Sequence, residues 1–538
     1  MFQGAMTMLW IGIVLPALAG SPEPASDVAA LWENYLFHFE PEALGADAAN
    51  RPEFTCATPL LPQLEDHWLD FTDGQRARMT RALAPWKRDW LDPVADRPPR
   101  PPSEHAETSC FTTSRPSGAG SDWEYPVEET LGACHADGVA TTTECASHTE
   151  CDDGSGAAWT CEGYDPGSPG NLPNRIVTEH FSVEWDDADV SEATAQAWAD
   201  ALEESWEVEI DDMGWKAPIK SDEYRVLAYI SSMGFQGAFT YADECEGEYM
   251  PYIVAGQGSF VGNSTWFQDM AAHELNHAIQ YAYGMAHEPW FWEATATWIQ
   301  EYIFPSHDWW AFYVEGFSSL PHLAMNASSQ QDYDVFMHMY GMSIFNFYLD
   351  EYVGGPELVK DLWVAGQSAL GQLYSYWIGD ALESVGYDLD DLYDGFIAAN
   401  TVMEYTSGVS YPDVAQVQSV GSLPATGGND GEDRPQGYGQ NYVRIATSTA
   451  HPASPDLRLE FAGDVDRSWT VLLVGIEDDA VARVQKVAVS DGDGTGVLKD
   501  YGDYDDVYMV VSPLEESERG RSYDWEILAI DSDTWEDP

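Results

Sequence analysis

Between residues 180 and 300 the apolar positions change period several times, and each change marks an element. Phe181-Ser182-Val183-Glu184-Trp185 alternates apolar and polar like a strand. Ser191 can then cap a helix whose apolar stripe is Ala195, Trp198, Leu202 and Trp206. Tyr224 to Ile230 reads as a second strand, and Phe235 to Tyr241 and Met250 to Ala255 as two more. Pro251 to Ala255, the last before the next helix, is expected at the sheet edge, where an extended peptide can pair with it. That next helix is apolar around most of its circumference, with Met270, Ala271, Ala272, Leu275, Ala278, Ile279 and Tyr281. After a break at Gly284 and Pro289 comes a second apolar helix, Trp290-Phe291-Trp292-Glu293-Ala294-Thr295-Ala296-Thr297-Trp298.

Further on the pattern turns helical and aromatic. Tyr340 to Leu349 runs to a stop at Gly354-Gly355-Pro356, and further helices are predicted near Glu357–Val364, Gly371–Val385 and Leu389–Asn400. From about Gly421 the grammar changes to short alternating runs, which predict six or seven strands of a β-sandwich of about 110 residues. Gly427-Gly428-Asn429-Asp430-Gly431 reads as a flexible join before it.

Upstream the signals are weaker. Met8 to Ala19 is an apolar run ending Ala17-Leu18-Ala19, too short to span a bilayer and shaped like a cleavable export signal, although it lacks Lys and Arg before it. Helical stretches are predicted around Leu31 to Phe39 and from Gly74 to Trp86. The second carries Arg76, Arg78 and Arg81. Pro98-Pro99-Arg100-Pro101-Pro102 is a stiff linker, and Cys134 to Cys161 has too little apolar content to build a core without crosslinks. The expected organisation is a signal peptide over 1–19 and a pro-segment-like helical region over 20–100. A Cys-rich insertion and linker follow over 101–175, then a catalytic domain over 176–420 and a β-sandwich domain over 421–538.

Composition sharpens this in two ways. The 538 residues carry 92 acidic and 23 basic side chains, a formal charge of −69, which argues against nucleic acid and anionic membranes as partners. A heavily hydrated acidic surface is the simple reading, and surface Ca²⁺ binding or steering of basic peptides the sharper one. For Ca²⁺, Asp491-Gly492-Asp493-Gly494 resembles a fragment of a binding loop, but a plain hairpin turn is the preferred reading. Six of the seven cysteines precede residue 170 and form no repeated metal pattern, which points to disulfides, one thiol left over, and a compartment outside the cytosol. A secreted monomer without stable membrane insertion is expected.

The candidate chemistry lies in His273-Glu274-Leu275-Asn276-His277. On a helix His273 and His277 stand one turn apart on one face, where two imidazoles can hold one metal ion. Glu274, beside the first ligand, can take a proton from a water held there, and Glu293, sixteen residues after His277, can supply a third ligand. His287 and Glu288 are rival third ligands in a loop, whereas a helix fixes the direction of Glu293. Thr297, one turn beyond, can support a ligand.

The motif with its downstream glutamate resembles the gluzincin branch of HExxH zinc metalloproteases. More closely it resembles a family of secreted bacterial metalloproteases distantly akin to immune inhibitor A, over about residues 54 to 538. The metzincin pattern fits poorly: it wants Gly and His where this chain has Gln280 and Tyr283. The resemblance implies an α+β fold, a zincin-like two-lobed catalytic domain of mixed sheet and helices with a helical lower lobe, then the β-sandwich. It implies one catalytic Zn²⁺, a peptide or protein substrate, and a Tyr or His opposite the metal to hold the oxyanion, for which Tyr340 is the candidate, with His338 and His322 behind it. The activity implied is that of a zinc endopeptidase. A non-catalytic exported protein with a structural zinc site, or a zinc hydrolase such as an aminopeptidase, are the alternatives.

Overall fold

Strand β7 (Val226–Ser231) is buried at every position, as expected for a strand with parallel neighbours on both sides and both faces covered. Those neighbours are β6 (Phe181–Trp185) and β9 (Glu248–Gly256), and β5 (Asn174–Val177) adds antiparallel to β6. In this computed structural model the described residues are 174–531, apart from short interruptions, together with isolated positions and short strands before 174. The export signal, the 98–102 linker and most of the N-terminal helices lie outside them, as do Cys110, Cys151 and His287. The chain divides into two compact units. One comprises residues 1–286, 302–307 and 367–374, and the other residues 287–301, 308–366 and 375–538. The whole is mixed α/β with a C-terminal β-rich region.

The first unit is built on a six-stranded sheet, in the order β1-β8-β9-β7-β6-β5. Here β1 is Thr55–Cys56 and β8 is Gly237–Cys245. The edge position expected for Pro251 to Ala255 is not observed, because β9 has β8 on one side and β7 on the other. Register explains why: Cys245 pairs with Glu248, so two residues join the strands, too few for anything but an antiparallel hairpin. A parallel contact with Thr55–Cys56 lies outside β8. The strand expected over Phe181 to Trp185 is observed, and all five of its residues are buried. Arg175 on β5 accounts for the polar ones, donating to Ser182 Oγ at 2.6 Å and lying 4.0 Å from Glu184.

Helix α1 (Glu192–Trp206) is capped by Ser191, whose Oγ accepts from the Thr194 amide, and it buries the predicted stripe Ala195, Trp198, Leu202 and Trp206. It packs against α2 (Trp266–Tyr281), the helix that follows β9 and bears both histidines. Gly284, at φ +93°, ends the α2 segment, in the left-handed region that glycine enters without strain. A separate small sheet, β3-β2-β4, joins β2 (Gly132–Ala136) to β3 (Val139–Cys145) and β4 (Trp159–Glu162), with Cys134 opposite Cys161 in register.

In the second unit α3 (Pro289–Ile303) is buried at every position from Trp290 to Glu301, the sign of a helix enclosed on all sides. Helices α4 (Ala311–Ser319) and α5 (Tyr333–Gly341) press together through glycines. A Cβ on Gly341 would stand 2.6 Å from the Tyr313 carbonyl oxygen. Then come α6 (Ser343–Tyr348), α7 (Pro356–Ala365), α8 (Ile378–Ser384) and α9 (Leu389–Ala399).

Among the described residues the β-rich region has ten strands. They are β10 (Gln416–Val420), β11 (Ala425–Asn429), β12 (Asn441–Ile445), β13 (Asp456–Gly463), β14 (Trp469–Glu477), β15 (Ala480–Lys486), β16 (Ala488–Ser490), β17 (Asp493–Leu498), β18 (Asp506–Pro513) and β19 (Tyr523–Ile530). They form two five-stranded sheets, β10-β12-β18-β14-β15 and β11-β19-β13-β17-β16, whose inner residues share one core, from Val443 and Leu473 to Leu459 and Ile527. The expected join at Gly427-Gly428-Asn429 is instead strand β11, paired antiparallel with β19. Its glycines fit a close approach, because a Cβ at Gly427 would run into the Trp525 ring. Asp491 and Gly492, both at positive φ, form the two-residue turn between β16 and β17, so this stretch is a hairpin.

Candidate metal centre

The α2 sequence Trp266–Tyr281 places His273 and His277 four residues apart, and the helix stacks them on one side. Their Nε2 atoms lie 3.1 Å apart and their rings are nearly perpendicular, at 86°. Two nitrogens at about 2.0–2.1 Å from one ion stand roughly 3.3 Å apart at the tetrahedral angle, so the pair has the separation of two ligands sharing an ion. On α3, Glu293 is fully buried. One ligand atom from each of His273, His277 and Glu293 lies within 4.8 Å of the others, and this buried triad could hold a metal ion. Two imidazoles and a carboxylate suit a divalent ion of intermediate softness and leave room for a fourth ligand.

Burial is nearly complete: His273 is 4 % exposed, Glu274 1 %, and His277 and Glu293 0 %. Charged groups sealed at that level need partners. Glu274 has one in Thr240 of β8, whose Oγ1 lies 2.8 Å from Glu274 Oε2 and 2.8 Å from the Glu274 carbonyl oxygen. His277 has another: its Nδ1 lies 2.7 Å from Gln280 Oε1. Asp269, in the first turn of α2, lies 2.6 Å from His307 Nδ1.

The other residues read from the sequence fall in several places. Glu288, a rival third ligand, is already engaged, since its oxygens accept from Trp290 Nε1 and Asn326 Nδ2, both at 3.1 Å. Burial pushes its carboxyl above the usual carboxylate range. Thr297 is buried with no hydrogen-bond partner for its hydroxyl among the described residues, so no bond from it supports a ligand. Tyr340 sits on α5, fully buried, with ring centroids 4.8 Å from both Tyr313 and Phe336, a packed core aromatic. His338 on the same helix is 1 % exposed, its Nε2 3.2 Å from the Ala324 carbonyl, and burial holds it down to about 4. Burial also lowers His322. Asp491 and Asp493 do not join a metal-holding group among the described residues.

Thr240, Gln280, Asn276 and Glu209 were missed by sequence reasoning. The available signal was polar residues at the buried positions of an otherwise apolar helix, which need partners wherever they fall.

No known family model matches the chain, and the comparison with curated proteins found no match. Among solved structures the chain is similar to a pre-peptidase C-terminal domain of a collagenase from Bacillus anthracis, at 10 % identity and a TM-score of 0.16. That match covers 22 % of this chain and 99 % of that one. A likeness this slight carries neither fold nor activity across. No helix among the described residues is long and apolar enough to cross a membrane.

Proposed function

We propose that this chain is a secreted zinc-dependent endopeptidase. The observation that carries the reading is the convergence of two imidazoles and one carboxylate, with a further carboxyl, Glu274, next to the first imidazole. Zinc is the ion proposed because a His₂Glu set with an open position is a recurrent catalytic zinc site. Held by His273, His277 and Glu293, a zinc ion would supply Lewis acidity and would lower the pKa of a bound water from about 16 to near 7.

The chain's own residues do the rest. Glu274 accepts the proton of the attacking water and later delivers it to the leaving amine. The Thr240 hydroxyl, 2.8 Å from Glu274 Oε2, fixes one carboxyl oxygen. Tyr340 is retained as the oxyanion donor on the strength of the family resemblance alone, and its stacked, buried setting is that of a core residue. The zincin-like assignment of residues 176–420 belongs to the same proposal. It is supported by the order β6, α1, β7, β8, β9, α2, which puts the paired histidines on the helix after the sheet.

A second reading is favoured by one observation: at 0–4 % exposure the triad is as closed as a structural metal site. A peptide-library digest with and without a chelator separates the two. Internal cleavage that stops on chelation supports the endopeptidase. Stoichiometric zinc with no cleavage supports the structural site, and cleavage confined to chain ends an aminopeptidase.

A further inference from the structure

Asn276 and Gln280 lie on α2 at the spacing that puts side chains four apart in contact, and Gln280 is three residues past His277. Gln280 Nε2 donates to Asn276 Oδ1 at 2.8 Å. Asn276 Nδ2 donates in turn to Glu209 Oε2 at 2.9 Å. With His277 Nδ1 at 2.7 Å from Gln280 Oε1, three hydrogen bonds link four side chains in a row, and all four are 0 % exposed.

Glu209 is an unusual residue to bury. It sits in a π-helical turn, Glu207–Asp212, that continues α1. There the carboxyl is fully buried while its apolar neighbours Val208 and Ile210 are only half-buried. A carboxyl buried there needs a hydrogen-bond partner, and the Asn276 amide supplies one. Widened turns of this kind occur often at functional sites.

The row has a direction. Asn276 turns its NH₂ to Glu209 Oε2 and its oxygen to Gln280 Nε2. Gln280 must then point its NH₂ at Asn276 and its oxygen at His277. An amide oxygen cannot donate, so His277 must be protonated on Nδ1. The Nε2 lone pair is thereby left on the side of His273 Nε2, 3.1 Å away.

We propose that Glu209, Asn276 and Gln280 form a one-way hydrogen-bond relay that holds His277 as its Nδ1–H tautomer and aims Nε2 at the metal site. They are positioning residues, not ligands. The proposal deepens the metal reading and rests on it for the purpose of the relay, but the tautomer it fixes belongs to the metal-free chain as well. Partners of ligating histidines fix ring orientation and raise ligand basicity, and their loss costs about 10–100-fold in metal affinity.

Two measurements on the full chain test it. The first is the ¹⁵N spectrum of histidine-labelled, metal-free protein, with His277 identified by the signals lost in His277→Ala. The relay requires Nδ1–H; an Nε2–H tautomer overturns it. The second is Zn²⁺ affinity by competition with a chromogenic chelator. Gln280→Met, similar in size but without an acceptor oxygen, is expected to lose about 10–100-fold. Gln280→Glu, which still accepts from Nδ1, is expected to keep most of the affinity. Native affinity in a folded Gln280→Met overturns the relay. If the native chain binds no Zn²⁺, the metal reading fails alone, and the tautomer still decides the relay.

Discussion

Thr240 Oγ1 stands 2.8 Å from Glu274 Oε2, so a hydroxyl on strand β8 grips the carboxyl that follows the first histidine of α2. The same hydroxyl is 2.8 Å from the Glu274 carbonyl, and its single proton can serve only one of the two acceptors at a time. Thr240→Val keeps the shape and removes the grip. On the proposed mechanism kcat falls about tenfold, less than the roughly 10²–10⁴-fold that general acid–base catalysis contributes as a whole, while Zn²⁺ affinity holds. Steady-state kinetics beside a zinc titration check this; an unchanged kcat contradicts the positioning role.

Glu274→Gln separates holding the metal from using it. The amide cannot take a proton from water, so turnover is expected to fall by about 10²–10⁴-fold with stoichiometric zinc retained. Metal analysis and peptide cleavage on the same preparation decide this. A Gln variant as active as the native chain removes Glu274 from the mechanism.

His338 ties stability to pH. Burial holds it down to about 4, below the ordinary value of 6.5, so the unfolded chain takes up its proton first as pH falls. Its contribution is complete above about pH 6.5 and is lost as pH drops toward 4, amounting to about 3 kcal/mol. Burial lowers His322 as well, and its slope has the same sign. His338→Gln keeps a donor for the Ala324 carbonyl and removes the titration. Denaturant unfolding of the second unit at pH 7 and pH 4 should show a smaller pH-dependent loss in the variant, and an equal loss contradicts the assignment.

Gly427 is needed for space. A Cβ there meets the Trp525 ring, so Gly427→Val is expected to destabilise the β-rich region by about 1–3 kcal/mol through overpacking. Zinc binding should not change. Thermal unfolding with a parallel zinc titration reads both, and an unaltered melt means that β11 adjusts without strain.

Much of the candidate site was legible because its signals are local. The spacing of His273 and His277 is a property of one helix, and Glu293 sits on the next. Where the reading went astray, the cause lay in partners distant in sequence. Pro251 to Ala255 looked like an edge because no local pattern reveals that β8 folds back onto β9. Gly427 and Gly428 looked like a linker because the Trp525 ring that excludes a side chain there lies about a hundred residues on. The relay was hidden likewise: Asn276 and Gln280 are adjacent on α2, but Glu209 is 67 residues from Asn276 and only the fold joins them.

The most direct measurement is the zinc content of the purified chain, native and with His277→Ala or Glu293→Ala, after equilibration against a weak chelator. The account predicts one zinc per native chain and a loss of binding of at least tenfold in each variant. A native chain without zinc, or either variant holding zinc as tightly as the native protein, contradicts it.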